Sequence, residues 1–317
     1  RLCRDWSSDV CSSDLDLLIE AAKKHPNLVI VEADLMKAAK TTGFAEVFPE
    51  RTINVGVAEA NMIGVAAGLS NMGKLPFTHT FTPFATRRCF DQVTLSVAYA
   101  QLNVKMVGSD PGIMATLNGG THMSLEDVGI MRTIPTMTIF EPVDGVQLAG
   151  MFDQIIEHYG PVYIRLLRQE FPSIFEDGTQ FTLGKASKIH DGTDVSIFAT
   201  GIMVHEALEA RKILAEEGIS ASVVNIHTVK PIDREAIVAE AKKTGAIVTA
   251  ENHNIINGLG SAVAEVLVEE YPVVMERVGT RDHFGEVGKK DFLMEKFGLK
   301  AHNIVDAVHK VLERKGK

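Results

Sequence analysis

The feature that most constrains this chain is a repeated alternation of short β-branched runs with longer segments of helical periodicity. Such alternation predicts α/β structure with parallel strands, because each helix carries the chain back to the start of a neighbouring strand. The first set of predicted strands comprises residues 28–32, 52–55, 103–107 and 136–140.

The alternation restarts after a polar stretch that contains Pro and Gly, residues 169–184, which is typical of a linker. Beyond it, strands are predicted at 195–199, 221–226, 246–250 and 273–278, with helices at 202–217, 233–244 and 259–270. We therefore predict two doubly wound parallel-sheet domains, at residues 16–175 and 185–317.

Residues 1–15, RLCRDWSSDVCSSDL, differ in character from the rest of the chain. They are similar to a translated sequencing adapter, and we interpret them as a non-native tail; a short native arm is the alternative. Without this segment Cys89 is the sole cysteine, which excludes a disulfide framework and a cysteine-based metal site within one chain.

The charge balance is acidic, with a formal net charge of −9 at pH 7. Nucleic acids and anionic membranes attract clustered Lys and Arg, so neither is an expected partner. No apolar run reaches the roughly 18 residues of a membrane span, and no apolar segment near the N-terminus suits a signal peptide. We expect a cytoplasmic protein.

One carboxylate stands alone in a long uncharged segment. Between residues 52 and 73, Glu59 is the only charged residue among small and apolar ones. A carboxyl group buried in such a setting must be protonated, ion-paired or bonded to a ligand. An exposed or structurally paired Glu is the alternative.

The sequence around it, NVGVAEANMIGVAAGL, resembles the pyrimidine-binding segment of the transketolase family, in the form found in two-chain members. The resemblance implies that Glu59 contacts the aminopyrimidine of thiamine diphosphate and promotes its activation. In the nearby TFTPF segment, Phe81 and Phe84 match aromatic residues that stack on the same ring. Phe residues at this spacing also fit a one-sided helix core.

Two further segments match substrate-binding positions of the family. In NGGTH, His122 matches a histidine that reaches substrate oxygens, and Asn118 stands where an Asp reads the hydroxyl stereochemistry of the donor. In LRQ, Arg168 matches an arginine that binds the phosphate end of sugar phosphates, a role that suits its fork of donors. An interdomain salt bridge is the alternative role for Arg168.

Asp34, directly after the first strand, matches a family position near the cofactor and the dimer contact; a helix-start cap is the alternative. Other positions depart from the family pattern. Arg87 replaces a third stacking aromatic, Ser109 replaces a substrate-side His, and Ala60 replaces a polar residue. These changes leave the donor ketose open and make branched or sulfonated sugars plausible donors.

The similarity covers residues 16–314, because segments 227–233, 251–267 and 279–288 resemble the transketolase C-terminal domain. The chain contains no G-D-G motif, which in this family helps to bind Mg²⁺ and the cofactor's diphosphate. The resemblance therefore implies a separate N-terminal-half subunit that carries this motif and holds both groups. It also implies a chain that self-associates as a dimer within an α₂β₂ heterotetramer.

The implied activity is transfer of a two-carbon ketol unit from a ketose phosphate or related sugar to an aldose. A β subunit of a 2-oxo-acid dehydrogenase and a deoxyxylulose-phosphate-synthase-like enzyme share the implied architecture and stay open as alternatives. A non-catalytic regulatory paralogue is a third alternative.

Overall fold

In the computed structural model, which describes residues 10–169 and 171–316, the chain forms two mostly parallel sheets with helices on both faces. This architecture confirms the predicted fold class. Residues 171–186 contain no helix or strand and connect the two sheets. The exact domain boundaries stay a prediction.

The first sheet has seven strands in the order β10-β5-β6-β4-β3-β1-β2. All neighbouring pairs are parallel except β10 with β5, which is antiparallel. Its strands are β1 Leu28–Glu32, β2 Thr52–Asn54, β3 Leu75–Phe81, β4 Lys105–Ser109, β5 Thr138–Phe140, β6 Val162–Leu166 and, from the second half of the chain, β10 Thr228–Lys230.

The second sheet has five strands in the order β12-β11-β8-β9-β7, of which only β7 is antiparallel to its neighbour. The strands are β7 Ser187–His190, β8 Val195–Ala199, β9 Ala221–Asn225, β11 Ala246–Asn254 and β12 Val274–Thr280.

Helices cover both faces of each sheet, as the parallel strands require. Those of the first half are α1 Val10–Lys24, α2 Thr42–Val47, α3 Glu59–Asn71, α4 Thr82–Ala85, α5 Phe90–Gln92, α6 Asp127–Arg132 and α7 Gly145–Glu157, with a π-helical segment at Val93–Tyr99. Those of the second half are α8 Met203–Glu216, α9 Arg234–Thr244, α10 Leu259–Glu270, α11 Lys290–Lys296 and α12 Ala301–Lys315. None of the helices in the described ranges is long and apolar enough to cross a membrane.

Two central strands, β3 and β6, have no counterpart in the sequence prediction. β3 carries polar residues at consecutive positions, Thr78, His79 and Thr80, and all three are buried. Hydrophobic patterning misses such a strand because its polar side chains are buried instead of facing solvent. β3 nevertheless pairs with both β1 and β4, and so is an interior strand of the sheet.

The first helix begins inside the segment interpreted as a non-native tail. α1 starts at Val10, and the buried carboxylate of Asp14 lies 3.1 Å from His79 Nε2 on β3. Residues 1–9 lie outside the described residues. The origin of residues 1–15 therefore stays a prediction, although the last six of them form part of this helix.

A buried arginine joins the two halves of the chain. The guanidinium of Arg165 on β6 donates to Asp127 at 2.6 Å, to Glu141 at 2.7 Å and to the carbonyl of Asn252 at 3.2 Å. Thr200, after β8, donates to the same Glu141 carboxylate at 3.0 Å. Two carboxylates of the first half and one carbonyl of the second sheet thus pair with a charge that would otherwise be costly to bury.

A buried histidine beside β10 predicts a loss of stability in mild acid. Burial lowers the pKa of His227 to about 4, below the 6.5 of an exposed His. At a pH between these two pKa values, the imidazole is protonated in the unfolded chain but not in the folded one. The free energy of unfolding therefore falls as the pH drops. From pH 7 to pH 5 this should cost about 2 kcal/mol.

The measurement is urea unfolding of the wild type and of His227→Gln at both pH values. The variant, which has no imidazole to protonate, should lose about 2 kcal/mol less than the wild type. His302→Gln is the control, because His302 is exposed. Equal losses in all three proteins would contradict the prediction.

Candidate active site

The residues singled out in the first half of the sequence gather at one edge of the first sheet. β1, β2, β3, β4 and β6 run parallel, so their carboxyl ends lie at the same edge. In open parallel sheets, ligands bind outside this edge. The residues that end these strands or follow them are Asp34, Glu59, Phe81, Asp110 and Arg168.

Glu59 is the first residue of α3, and its side chain is only 3% exposed. A helix N-terminus favours a carboxylate, because its free N–H groups carry partial positive charge. The ion partner is Arg88, whose Nη1 donates to Glu59 Oε1 at 2.8 Å. Arg88 had no role in the sequence prediction, since nothing local connects it with Glu59.

Phe81 ends β3, and Phe84 lies one helical turn later in α4. The centroids of the two rings are 6.1 Å apart, and their planes meet at 68°. The His122 ring lies edge-on to both, at 5.7 Å from Phe81 and 5.1 Å from Phe84. His122 thus joins two phenylalanines about 40 positions earlier in one aromatic cluster; Phe81 is buried and Phe84 is partly exposed.

Glycines and an arginine hold the loop that carries His122. Gly119 has φ +71°, and a side chain there or at Gly120 would collide with residues 285–287 of the second half. Arg87 binds the carboxylate of Glu126 at 2.7 Å and the carbonyl of Thr121 at 3.1 Å. Arg87, which the family resemblance places where a third stacking aromatic is expected, thus ties the 3₁₀ turn at Arg87–Cys89 to the His122 loop.

Arg168 lies next to the cluster in a pair with Asp110. Its Nε donates to Asp110 Oδ2 at 2.8 Å, and Nη2 contacts the same oxygen. Nη1 donates to the carbonyl of Ala38 at 3.2 Å, and the guanidinium lies 4.9 Å from the centroid of Phe81. The contacts with Asp110 and Ala38 lie within the first half of the chain and do not form the interdomain salt bridge considered as the alternative role for Arg168.

Asp34 and Asn118 lie at the periphery. Asp34 exchanges hydrogen bonds with Asn54: its backbone N–H donates to Asn54 Oδ1, and Asn54 Nδ2 donates to its carboxylate. The alternative helix-cap role for Asp34 is wrong, because the chain turns after it and α2 begins only at Thr42. The side chain of Asn118 is exposed, in the same loop as His122.

The site offers acid–base and stacking groups, with no reactive thiol. Burial raises the pKa of Cys89 to about 12, so its thiol stays protonated at neutral pH. Within residues 10–169 and 171–316 no three His, Cys, Asp or Glu side chains are grouped so as to hold a metal ion.

Comparison with known proteins identifies both halves of the chain. The family model for the transketolase pyrimidine-binding domain matches residues 15–173, and that for the transketolase C-terminal domain matches residues 184–304. The 6-deoxy-6-sulfo-D-fructose transketolase subunit of Clostridium sp. strain MSTE9 is 63% identical over 301 residues, which cover 95% of this chain and 94% of that subunit.

Two other relatives differ in how much of their length this chain spans. A solved split-gene transketolase, described as an inactive β4 tetramer, superposes with a TM-score of 0.89 and 44% identity, over 97% of this chain and 99% of that one. The 1-deoxy-D-xylulose-5-phosphate synthase 1 of Geobacter sulfurreducens is 36% identical; the match covers 95% of this chain but only 48% of that enzyme.

Proposed function

The chain belongs to the transketolase family, and from this premise we propose that it is the C-terminal-half subunit of a split transketolase that transfers a two-carbon ketol unit between sugars. Family membership implies dependence on thiamine diphosphate. Coverage supports the split arrangement, because this chain spans 94% of the Clostridium subunit and 99% of the solved split-gene chain.

The observation that carries the proposal is the cluster of Glu59, Phe81, Phe84 and His122 at the sheet edge. These residues fit an aminopyrimidine: a buried carboxylate can bond a ring nitrogen, while aromatic faces contact the planar ring. When bound, thiamine diphosphate supplies the electron sink for breaking and forming the ketose carbon–carbon bond.

The protein's own groups then have distinct roles. The carboxyl of Glu59 would hold a pyrimidine ring nitrogen by a hydrogen bond and exchange a proton there, and the low exposure of its side chain, 3%, would keep water away from that bond. His122 Nδ1 lies 2.9 Å from Thr121 Oγ1, which leaves Nε2 to bond a sugar oxygen. Asp34 and Asn118 remain proposed contributors at the cofactor and substrate sides respectively.

The finer assignments extend the same proposal. A partner chain with a G-D-G motif would hold the diphosphate and Mg²⁺, and this chain would self-associate within an α₂β₂ assembly in the cytoplasm. The donor would carry a terminal anion; the Clostridium relative, named for a sulfonated ketose, makes 6-deoxy-6-sulfo-D-fructose the first donor to assay.

The test is reconstitution with the partner chain and assay of ketol transfer from the sulfonated ketose, from its 6-phosphate analogue and from pyruvate. Transfer from a ketose that depends on thiamine diphosphate supports the proposal. Turnover of pyruvate alone would favour the deoxyxylulose-phosphate-synthase-like alternative. Cofactor binding without turnover of any donor would favour the regulatory paralogue.

Arg168 gives a prediction about substrate recognition. If its guanidinium binds the anionic end of the sugar, Arg168→Ala should raise KM for charged donors and leave short uncharged donors nearly unaffected. The expected loss in kcat/KM is about 1.5–3 kcal/mol, the range for a hydrogen bond to a charged group.

Steady-state kinetics with charged and uncharged donors measure this effect. Arg132→Ala is the matched control, since Arg132 also bonds a carbonyl and a carboxylate, those of Asn257 and Glu265, at the end of α6. Equal losses for both donor classes would assign Arg168 to positioning Asp110 instead.

A further inference from the structure

Arg88 is the ion-pair partner of the buried Glu59. Its guanidinium donates to Glu59 Oε1 at 2.8 Å while its Cζ lies 3.6 Å from the centroid of the Phe84 ring. The two partners differ in exposure: the Arg88 side chain is 44% exposed and that of Glu59 only 3%. Arg88 therefore covers the carboxylate from the solvent side.

These two contacts are those that an aminopyrimidine would make at the same place. A guanidinium is planar and delocalised, stacks on aromatic faces and donates N–H bonds in its plane. An aminopyrimidine protonated at its ring nitrogen is also planar, delocalised and an in-plane N–H donor. A pyrimidine that took these contacts at Glu59 Oε1 and on the same face of Phe84 would have to displace the guanidinium.

Arg88 is also free to leave. It lies in the 3₁₀ turn Arg87–Cys89 at the surface, and within the described residues its guanidinium makes no hydrogen bond besides the one to Glu59. Moving the Arg88 guanidinium into water breaks only one ion pair and one stacking contact. Its hydration compensates in part for this loss, because the side chain is already partly exposed. The buried Glu59 would then need a replacement donor.

The neighbouring arginine shows the contrast. The Arg87 side chain is exposed to the same extent, 44%, but bonds Glu126 and the carbonyl of Thr121. Two adjacent arginines in one turn therefore point to different tasks: Arg87 ties down the His122 loop, and Arg88 covers Glu59.

We infer that Arg88 closes the pyrimidine site by standing in for the aminopyrimidine, and that it must release Glu59 and Phe84 before the cofactor binds. This inference rests on the proposed function. The arrangement keeps Glu59 paired while the site waits for its ligand. The apparent affinity for the cofactor is then the intrinsic affinity multiplied by the fraction of molecules in which Arg88 has moved away from Glu59.

The test is titration of thiamine into the purified chain, with binding followed by ligand-observed NMR, which detects millimolar dissociation constants. Arg88→Ala should bind thiamine about 10-fold more tightly than the wild type, because no internal competitor remains. Arg51→Ala is the matched control and should bind as the wild type does, because Arg51 also pairs with a carboxylate, that of Glu50, and lies 3.9 Å from the ring centroid of a phenylalanine, Phe48, but has no part in the cluster. Circular dichroism verifies the fold of each variant.

Arg88→Gln is a second variant for the case that Arg88→Ala does not fold. Gln can still donate a hydrogen bond to the buried Glu59, but it does not stack on Phe84 as a cation. It should tighten binding several-fold, in the same direction as Arg88→Ala. Thiamine affinity that is unchanged or weaker in both variants would overturn the inference and leave the proposed function standing. If neither the wild type nor any variant binds thiamine, the inference is overturned; if the complex with the partner chain also fails to bind thiamine diphosphate, the proposed function fails as well.

Discussion

Replacing Glu59 by Gln in the reconstituted enzyme is expected to lower kcat by roughly 10²–10⁴, the usual contribution of a positioned acid–base group. Gln keeps the volume of the side chain and can bond a ring nitrogen, but it cannot share an acidic proton. Binding of thiamine diphosphate should therefore persist while turnover is lost. Steady-state kinetics at saturating cofactor, with calorimetric titration of the cofactor, separate the two effects.

The matched control is Glu240→Gln in the second sheet. Glu240 is buried to the same degree as Glu59 and pairs with Lys188, whose side chain is about as exposed as that of Arg88. A general effect of neutralising a buried carboxylate would appear in both variants. Near-normal turnover of Glu59→Gln at saturating cofactor would show that another group activates the cofactor.

The single chain is expected to be inactive and to bind thiamine diphosphate no better than weakly. Under the proposed site assignment, stacking of Phe81 and Phe84 on the pyrimidine would contribute about 0.5–1.5 kcal/mol per ring pair. A hydrogen bond between the ring and Glu59 would add about 1.5–3 kcal/mol. Together these scarcely offset the roughly 4–15 kcal/mol lost when a ligand is immobilised.

Calorimetric titration of thiamine diphosphate with Mg²⁺ into the single chain measures this directly, and the same titration with the partner chain present is the control. Activity should appear only with the partner and saturate at one partner per chain. A micromolar dissociation constant for the single chain, or ketol transfer without a second polypeptide, would contradict the split arrangement.

Much of the fold was accessible from local sequence. Four of the five strands of the second sheet were predicted, because they are apolar runs separated by amphipathic helices, and the predicted helix 202–217 is observed as Met203–Glu216; β7 was not predicted, and β11 extends beyond the predicted 246–250 to Asn254. In the first sheet β3 escaped prediction, since Thr78, His79 and Thr80 break the apolar pattern. β10 escaped as well, because its three residues join a sheet formed by the other half of the chain.

The candidate site was accessible only in part. Glu59, Phe81, Phe84 and His122 were found through segments that resemble a family, so their identity did not depend on knowing the fold. Arg88 and Asp110 were missed, because each acquires its role from a partner distant in the sequence. Glu59 and Arg88 are separated by 29 positions, and Asp110 and Arg168 by 58.

The sequence by itself determined the class of fold, the two successive parallel sheets and the family, because periodicity and motifs are properties of consecutive residues. Only the tertiary structure decided which charges meet: that Arg88 covers Glu59, that Asp110 binds Arg168, and that the halves join through buried Arg165. The physical reason is that ion pairing depends on distance in space, and parallel strands bring their ends together regardless of separation along the chain.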